Sequence, residues 1–187
     1  MSAPRLNLAL LLAGLCALFA ACLLGSTPMS FNEVLSGLAG TGPRGDVIVI
    51  WEIRLPRALC AWVVGLALGT SGAALQGLLR NPLAEPGVLG VSASASLGAS
   101  GVIYYGFAGA SALAVPLAAV IGALIATAIL TLAALRTQSV VTLILIGVGL
   151  SSFAGALMSL LMNLAPNPFS LSDMINWMMG SVANRSF

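Results

Sequence analysis

The sequence predicts an all-α membrane protein, built as a polytopic helical bundle of about five transmembrane helices. Three observations carry that class. The mean hydropathy is +1.08. Of 187 residues, 59% are hydrophobic and only 6% charged, against about 25% charged in a soluble domain. The few charges are also separated by long apolar runs. Between Arg5 and Glu33 lie 27 uncharged residues, between Arg57 and Arg80 lie 22, between Glu85 and Arg136 lie 50, and between Arg136 and Asp173 lie 36. A membrane helix needs about 20 apolar residues to cross about 30 Å of hydrocarbon. The first, second and fourth gaps each fit one span, and the third fits two.

The spans expected are therefore 6–25, 58–79, 89–105, 112–135 and 140–164, within a single transmembrane domain covering 1–187. Residues 106–110 make the turn inside the third gap, and Pro166 and Pro168 stop the fifth helix. Lipid permits only helices or closed barrels, and these runs are continuously apolar instead of alternating as barrel strands do. Two stretches are not spans. Residues 27–52 read as a polar connection, with Ser30 and Glu33 spaced as a capping box that opens a short helix over 31–38. A second short helix is expected over 172–179, with Trp177 as an interfacial anchor.

Several function classes drop out. A net charge of +2 offers no clustered basic face for nucleic acid. The chain has no histidine and only three scattered cysteines, so no zinc or haem ligand set is formed and no cofactor is expected. No nucleophile stands beside a base, so the chain is not read as an enzyme. Gly40-Thr41-Gly42-Pro43-Arg44-Gly45 has dinucleotide-binding spacing, yet no strand precedes it, and a β-rich run over 47–51 stands where a helix should open. It reads as a turn. Arg5 and the Phe19-Ala20-Ala21-Cys22 string have the look of a signal peptide. The apolar run is longer than a signal core, and the chain beyond it is also membrane.

Small residues recur every fourth position. They are Gly65, Gly69, Ala73 and Gly77 in the second span, Gly90, Ser94 and Gly98 in the third, Ala118, Gly122 and Ala126 in the fourth, and Gly147, Ser151, Gly155 and Ser159 in the fifth. Such stripes let helix backbones approach closely, which matters because lipid gives apolar helices no drive to associate. Ser92, Ser94 and Ser151 are candidates for lining a polar pathway. Two charged clusters flank the second span. Before it stands Arg54-Leu55-Pro56-Arg57, where Pro56 fixes the approach of two guanidinium groups suited to bidentate capture of carboxylates. After it, Arg80-Asn81-Pro82-Leu83-Ala84-Glu85-Pro86-Gly87 cannot be a regular helix. Irregular backbone at membrane depth belongs against protein or a water-filled cavity, which fits a pore mouth or gate.

From Arg54 through Gly98 the sequence closely resembles the FecCD family of bacterial ABC importer permeases. The resemblance rests on Arg54-Leu55-Pro56-Arg57, Ser71-Gly72-Ala73, Gln76-Gly77, Asn81-Pro82-Leu83-Ala84, Pro86-Gly87 and Leu89-Gly90-Val91-Ser92. Gly147-Val148-Gly149-Leu150 and Trp177-Met178-Met179-Gly180-Ser181 also fit. It implies a permease subunit for an iron complex, a siderophore first, with haem or cobalamin as alternatives. It implies a multi-pass protein of the bacterial inner membrane, paired with a second permease subunit as a homodimer. Two cytoplasmic ATPase subunits and a periplasmic substrate-binding protein complete the assembly. Arg54 and Arg57 would dock acidic side chains of the binding protein, and Asn81 and Leu83 would form the cytoplasmic gate. Gly65, Gly69, Gly77, Gly147 and Gly155 would serve helix packing. The family has about ten spans, so five read as an N-terminal half. The alternative from another class is a truncated membrane interaction or assembly protein that does not transport.

The resemblance also sets topology, with the N-terminus in the cytoplasm. Arginine counting points the other way, with three inside and four outside. Reporter fusions after Arg5, Arg80 and Arg136 should read cytoplasmic and a fusion near Gly42 periplasmic. The inverse pattern would overturn the topology.

Overall fold

The computed structural model describes residues 3–182 apart from 26, 83 and 138. Among them every regular element is helical, and no strand forms. In chain order these are α1 (Ala3–Leu23), α2 (Phe31–Leu38), α3 (Arg44–Ile48), a π-helical segment (Val49–Arg54), α4 (Leu55–Leu79), α5 (Val91–Tyr104), α6 (Ala114–Arg136), α7 (Val140–Asn163) and α8 (Pro168–Met179). A 3-10 turn, Phe107–Gly109, joins α5 to α6. Among the described residues four helical stretches are long and apolar enough to cross a membrane: Pro4–Leu23, Arg44–Leu79, Ala114–Arg136 and Val140–Asn163.

Three elements differ from the sequence expectation, two of them around the second and third spans. Residues 44–52 are helical, not a connection with a β-rich end, so the second long helix starts at Arg44. Pro43 precedes the first turn and its carbonyl accepts from the Asp46 and Val47 amides at 3.0 and 3.1 Å. Asp46 sits in that turn, where a carboxylate favours the positive end of the dipole. β-branched residues lower helix propensity by well under about 1 kcal/mol each. Burying Ile50, which is 0% exposed against Cys22, Val34 and Ala58, outweighs that. The second difference is α5, whose 14 residues span about 21 Å at 1.5 Å each. Glycines in the left-handed region bound it, Gly90 at φ 77° and Gly106 at φ 76°.

The π-helical segment has a local cause. The Leu55 amide donates to the Ile50 carbonyl, one residue further back than an α-helix would reach. Pro56 comes next. Its ring has no N–H and would strike the carbonyl four residues earlier in a regular helix. A wider turn ahead of it opens the room that the ring needs.

The chain divides into two compact units, Met1–Leu68 with Val182–Phe187, and Gly69–Ser181. In the first, Cys22, Val34, Ile50 and Ala58 form the core. Both halves of the capping box on α2 are made. The Ser30 amide donates to Glu33 Oε2 at 2.6 Å, and the Glu33 amide donates to Ser30 Oγ at 3.3 Å. The hydrogen bonds from Ser30 hold the Glu33 carboxyl below its ordinary range. Trp51 Nε1 donates to the Gly37 carbonyl at 3.2 Å and ties the π segment to the end of α2.

In the second unit Ala99, Ile103, Val115 and Met174 form the core. α8 starts at Pro168, four residues earlier than expected, because Asn167 caps it by accepting from the Ser170 amide at 2.8 Å. Met174 is fully buried and Trp177 packs on the same cluster. The small-residue stripes of α5 and α6 mate with each other. A Cβ built at Gly98 would collide with the Ala118 carbonyl, and one at Gly122 with the Ser94 carbonyl. Gly65, Gly69, Gly77 and Gly155 meet no neighbour within 4 Å among the described residues, so those four make no close helix contact here.

This contrast gives opposite signs for one substitution. Alanine is favoured over glycine in a helix by about 1 kcal/mol, so Gly65→Ala should be neutral or stabilising. Gly98→Ala and Gly122→Ala should each destabilise by about 1–3 kcal/mol through overpacking. Unfolding in mixed detergent–SDS micelles reads both.

Candidate functional site

α1 ends with carbonyls that no further turn of helix can satisfy. Arg54 supplies the donors. Its Nη1 donates to the Cys22 carbonyl at 2.7 Å and to the Leu23 carbonyl at 3.0 Å. Its Nη2 donates to the Thr27 carbonyl, and to Thr27 Oγ1 at 3.1 Å. The cation thus sits at the negative end of the α1 dipole. Gly25 is what lets it lie there, since a Cβ at that position would stand 3.0 Å from Arg54 Cζ and Nη2. Arg54 is 7% exposed.

The two arginines expected as a matched pair are not alike here. Arg54 directs both Nη groups to Cys22, Leu23 and Thr27 of its own chain. Arg57, one helical turn later, is only half-buried. Its Nε is sealed from solvent without a hydrogen-bond partner among the described residues. Both arginines line a pocket of about 390 Å3, together with Ala21, Leu24, Ile53, Ala58 and Ala61. Positions three apart share a helix face, so nothing local in Arg54-Leu55-Pro56-Arg57 separates the two roles. Only the distant end of α1 does.

The stretch between α4 and α5 is irregular, as its prolines require. α4 closes in a Schellman motif. Arg80 takes the left-handed position at φ 47°, usually a glycine's place, and the Asn81 amide donates to the Gln76 carbonyl at 3.2 Å. The Ala84 amide returns to the Asn81 carbonyl at 3.1 Å, and Ala84 is buried. The far end of the stretch lies on α7. A Cβ at Gly90 would stand 2.8 Å from the Ser151 amide nitrogen, and one at Gly147 would stand 2.8 Å from Leu89 Cα. So Gly147 does serve close packing, against a loop and not against a helix. Leu83, the other residue expected at a gate, lies outside the described residues.

The three serines expected on a polar path do not share one surface. Ser94 is at the α5–α6 crossing with its carbonyl against Gly122, Ser151 is under Gly90, and Ser92 is exposed. Ser92 and Ser94, two residues apart, face different sides of one helix. The reading by sequence missed Ser100, which is 1% exposed, its Oγ unpartnered among the described residues in the apolar core of α5. The signal was there in Ser92, Ser96 and Ser100, spaced four apart.

The FecCD transport family profile matches residues 10–187, and the chain belongs to that family. It is 44% identical over 137 residues to the vitamin B12 import system permease protein BtuC of Salmonella paratyphi A, covering 73% of this chain and 41% of that protein. It is 39% identical over 188 residues to the achromobactin transport system permease protein CbrC of Dickeya dadantii strain 3937, covering 98% of this chain and 52% of that one. A solved metal-chelate type ABC transporter in an inward-facing conformation matches with a TM-score of 0.81 at 29% identity, over 98% of this chain and 56% of the other. The chain spans about half the length of these relatives.

The two arginines should separate under the same substitution. Arg54→Met strands the Cys22, Leu23 and Thr27 carbonyls, and each buried unpaired group costs about 1–3 kcal/mol. Arg57→Met removes a buried unpaired N–H and should be near neutral. Thermal unfolding in detergent checks the order.

Proposed function

We propose that the chain is part of a permease subunit of a binding-protein-dependent ABC importer for an iron complex, with a ferric siderophore as the leading cargo. The observation that carries the reading is the extent of likeness to a metal-chelate type transporter, over 98% of this chain. The achromobactin permease, alike over the same share of the chain, supports a siderophore. In this reading the protein is multi-pass in a bacterial inner membrane and works with a second permease subunit. Two ATPase subunits supply the energy, and a periplasmic binding protein delivers the cargo. Arg57 meets acidic side chains of the binding protein, and Arg54 holds the ground beneath it. Asn81 and Leu83 belong to the cytoplasmic gate, and of the three serines the exposed Ser92 borders the pathway. Cobalamin is the second reading, favoured by the 44% identity to BtuC.

A chimera tests this. Residues 10–187 replace the matching part of the achromobactin permease, in a strain lacking its own copy. The expected result is uptake of the ferric siderophore that depends on the ATPase. Arg57→Glu should weaken binding-protein affinity at low salt by at least tenfold, because close like charges cost several kcal/mol. Uptake of cobalamin instead would move the cargo to the second reading. An inserted, folded chimera that carries neither would overturn the permease reading.

A further inference from the structure

The pocket beside Arg57 has a composition that docking does not explain. Among the described residues two cations line it and no acidic side chain does, while the remaining wall is almost wholly apolar, with Ala21, Leu24, Ile53, Ala58 and Ala61. Arg54 is hydrogen-bonded to carbonyls of α1 and its loop, which already offsets the negative end of that helix. Among the described residues Arg57 shows no such hydrogen bonds, and its Nε–H is closed off without an acceptor. A partly desolvated guanidinium gains more from an anion than a solvated one does.

Depth selects the anion. The helix Arg44–Leu79 has 36 residues, about 54 Å at 1.5 Å each, far longer than about 30 Å of hydrocarbon. Counting about 20 residues back from Leu79 reaches Cys60. With Leu79 taken as one edge of the hydrocarbon and Cys60 as the other, Arg57 falls one turn outside it, at headgroup level, and the apolar wall at Ala58 and Ala61 begins there. An amphiphile with an anionic head and an apolar body fits both walls. A soluble acid fits only one.

We propose that this pocket is a binding site for an anionic phospholipid, its phosphate on Arg57 and its glycerol and upper acyl carbons against Ala58, Ala61, Ala21 and Leu24. The site is separate from the docking role of Arg57. A guanidinium has five N–H donors, so a phosphate on one edge leaves others for a protein acid.

The test is native mass spectrometry of the full chain in detergent, with no binding protein present. Phosphatidylglycerol and phosphatidylethanolamine are offered in equal amounts, with inorganic phosphate and a soluble polyglutamate peptide as competitors. The expected result is retention of phosphatidylglycerol several-fold above phosphatidylethanolamine, undisturbed by millimolar phosphate. Ala61→Phe fills the apolar wall at an exposed position and should abolish the preference with both arginines left in the sequence. Arg57→Gln should abolish it through the head. Ala21→Phe repeats the first test from α1 should Ala61→Phe fail to fold. Equal retention of the two lipids, displacement by phosphate alone, or retention unchanged by the phenylalanines would overturn the proposal. Peptide capture that outcompetes the lipid and ignores Ala61→Phe would also overturn it, in favour of a protein partner.

Discussion

Lipid offers no hydrogen bonds, so this chain must satisfy its backbone from within. The long apolar helices do so along their length and fail only at their ends. At the end of α1 the deficit is met by a side chain that lies 32 residues away in sequence. Arg54 reaches over Gly25 and accounts for two carbonyls of α1 and one of the loop after it. That contact ties the end of α1 and Thr27 to the π segment. The same demand appears at Pro56, which removes a donor, and the helix widens ahead of it instead of breaking.

The second unit meets the demand by proximity. Gly98 and Gly122 let the α5 and α6 backbones touch, and Gly90 and Gly147 do so between the post-α4 loop and α7. These are contacts of backbone with backbone, so they tolerate no added Cβ. They also hold the irregular 80–90 stretch at both ends, by a Schellman closure at Arg80 and Asn81 and by the seat on α7.

Much of the fold was legible because charge spacing and hydropathy report the solvent directly. The C-terminal ends of α4 and α6 fall beside Arg80 and at Arg136, and the Ser30–Glu33 cap follows from two residues three apart. The start of the second long helix was not legible. Val47, Ile48, Val49 and Ile50 carry strand propensity, and only the buried partners of Ile50, far off in sequence, reverse it. The site was legible in part. The four-residue stripes marked the α5–α6 crossing correctly, but the same stripe in α4 has no neighbour here among the described residues, because spacing shows a face and not what covers it. The two arginines looked alike for the same reason.

Arg54 as an internal clamp and Arg57 as the accessible cation are the centre of this account. Arginine-selective modification with phenylglyoxal, read by peptide mass spectrometry in detergent, tests that division most directly. Arg44 is exposed and serves as the internal standard. Arg54 should be modified many-fold more slowly than Arg44, with Arg57 between them, and Gly25→Val should bring Arg54 up toward Arg57. Modification of Arg54 at the rate of Arg44 in the unaltered, folded chain would contradict it.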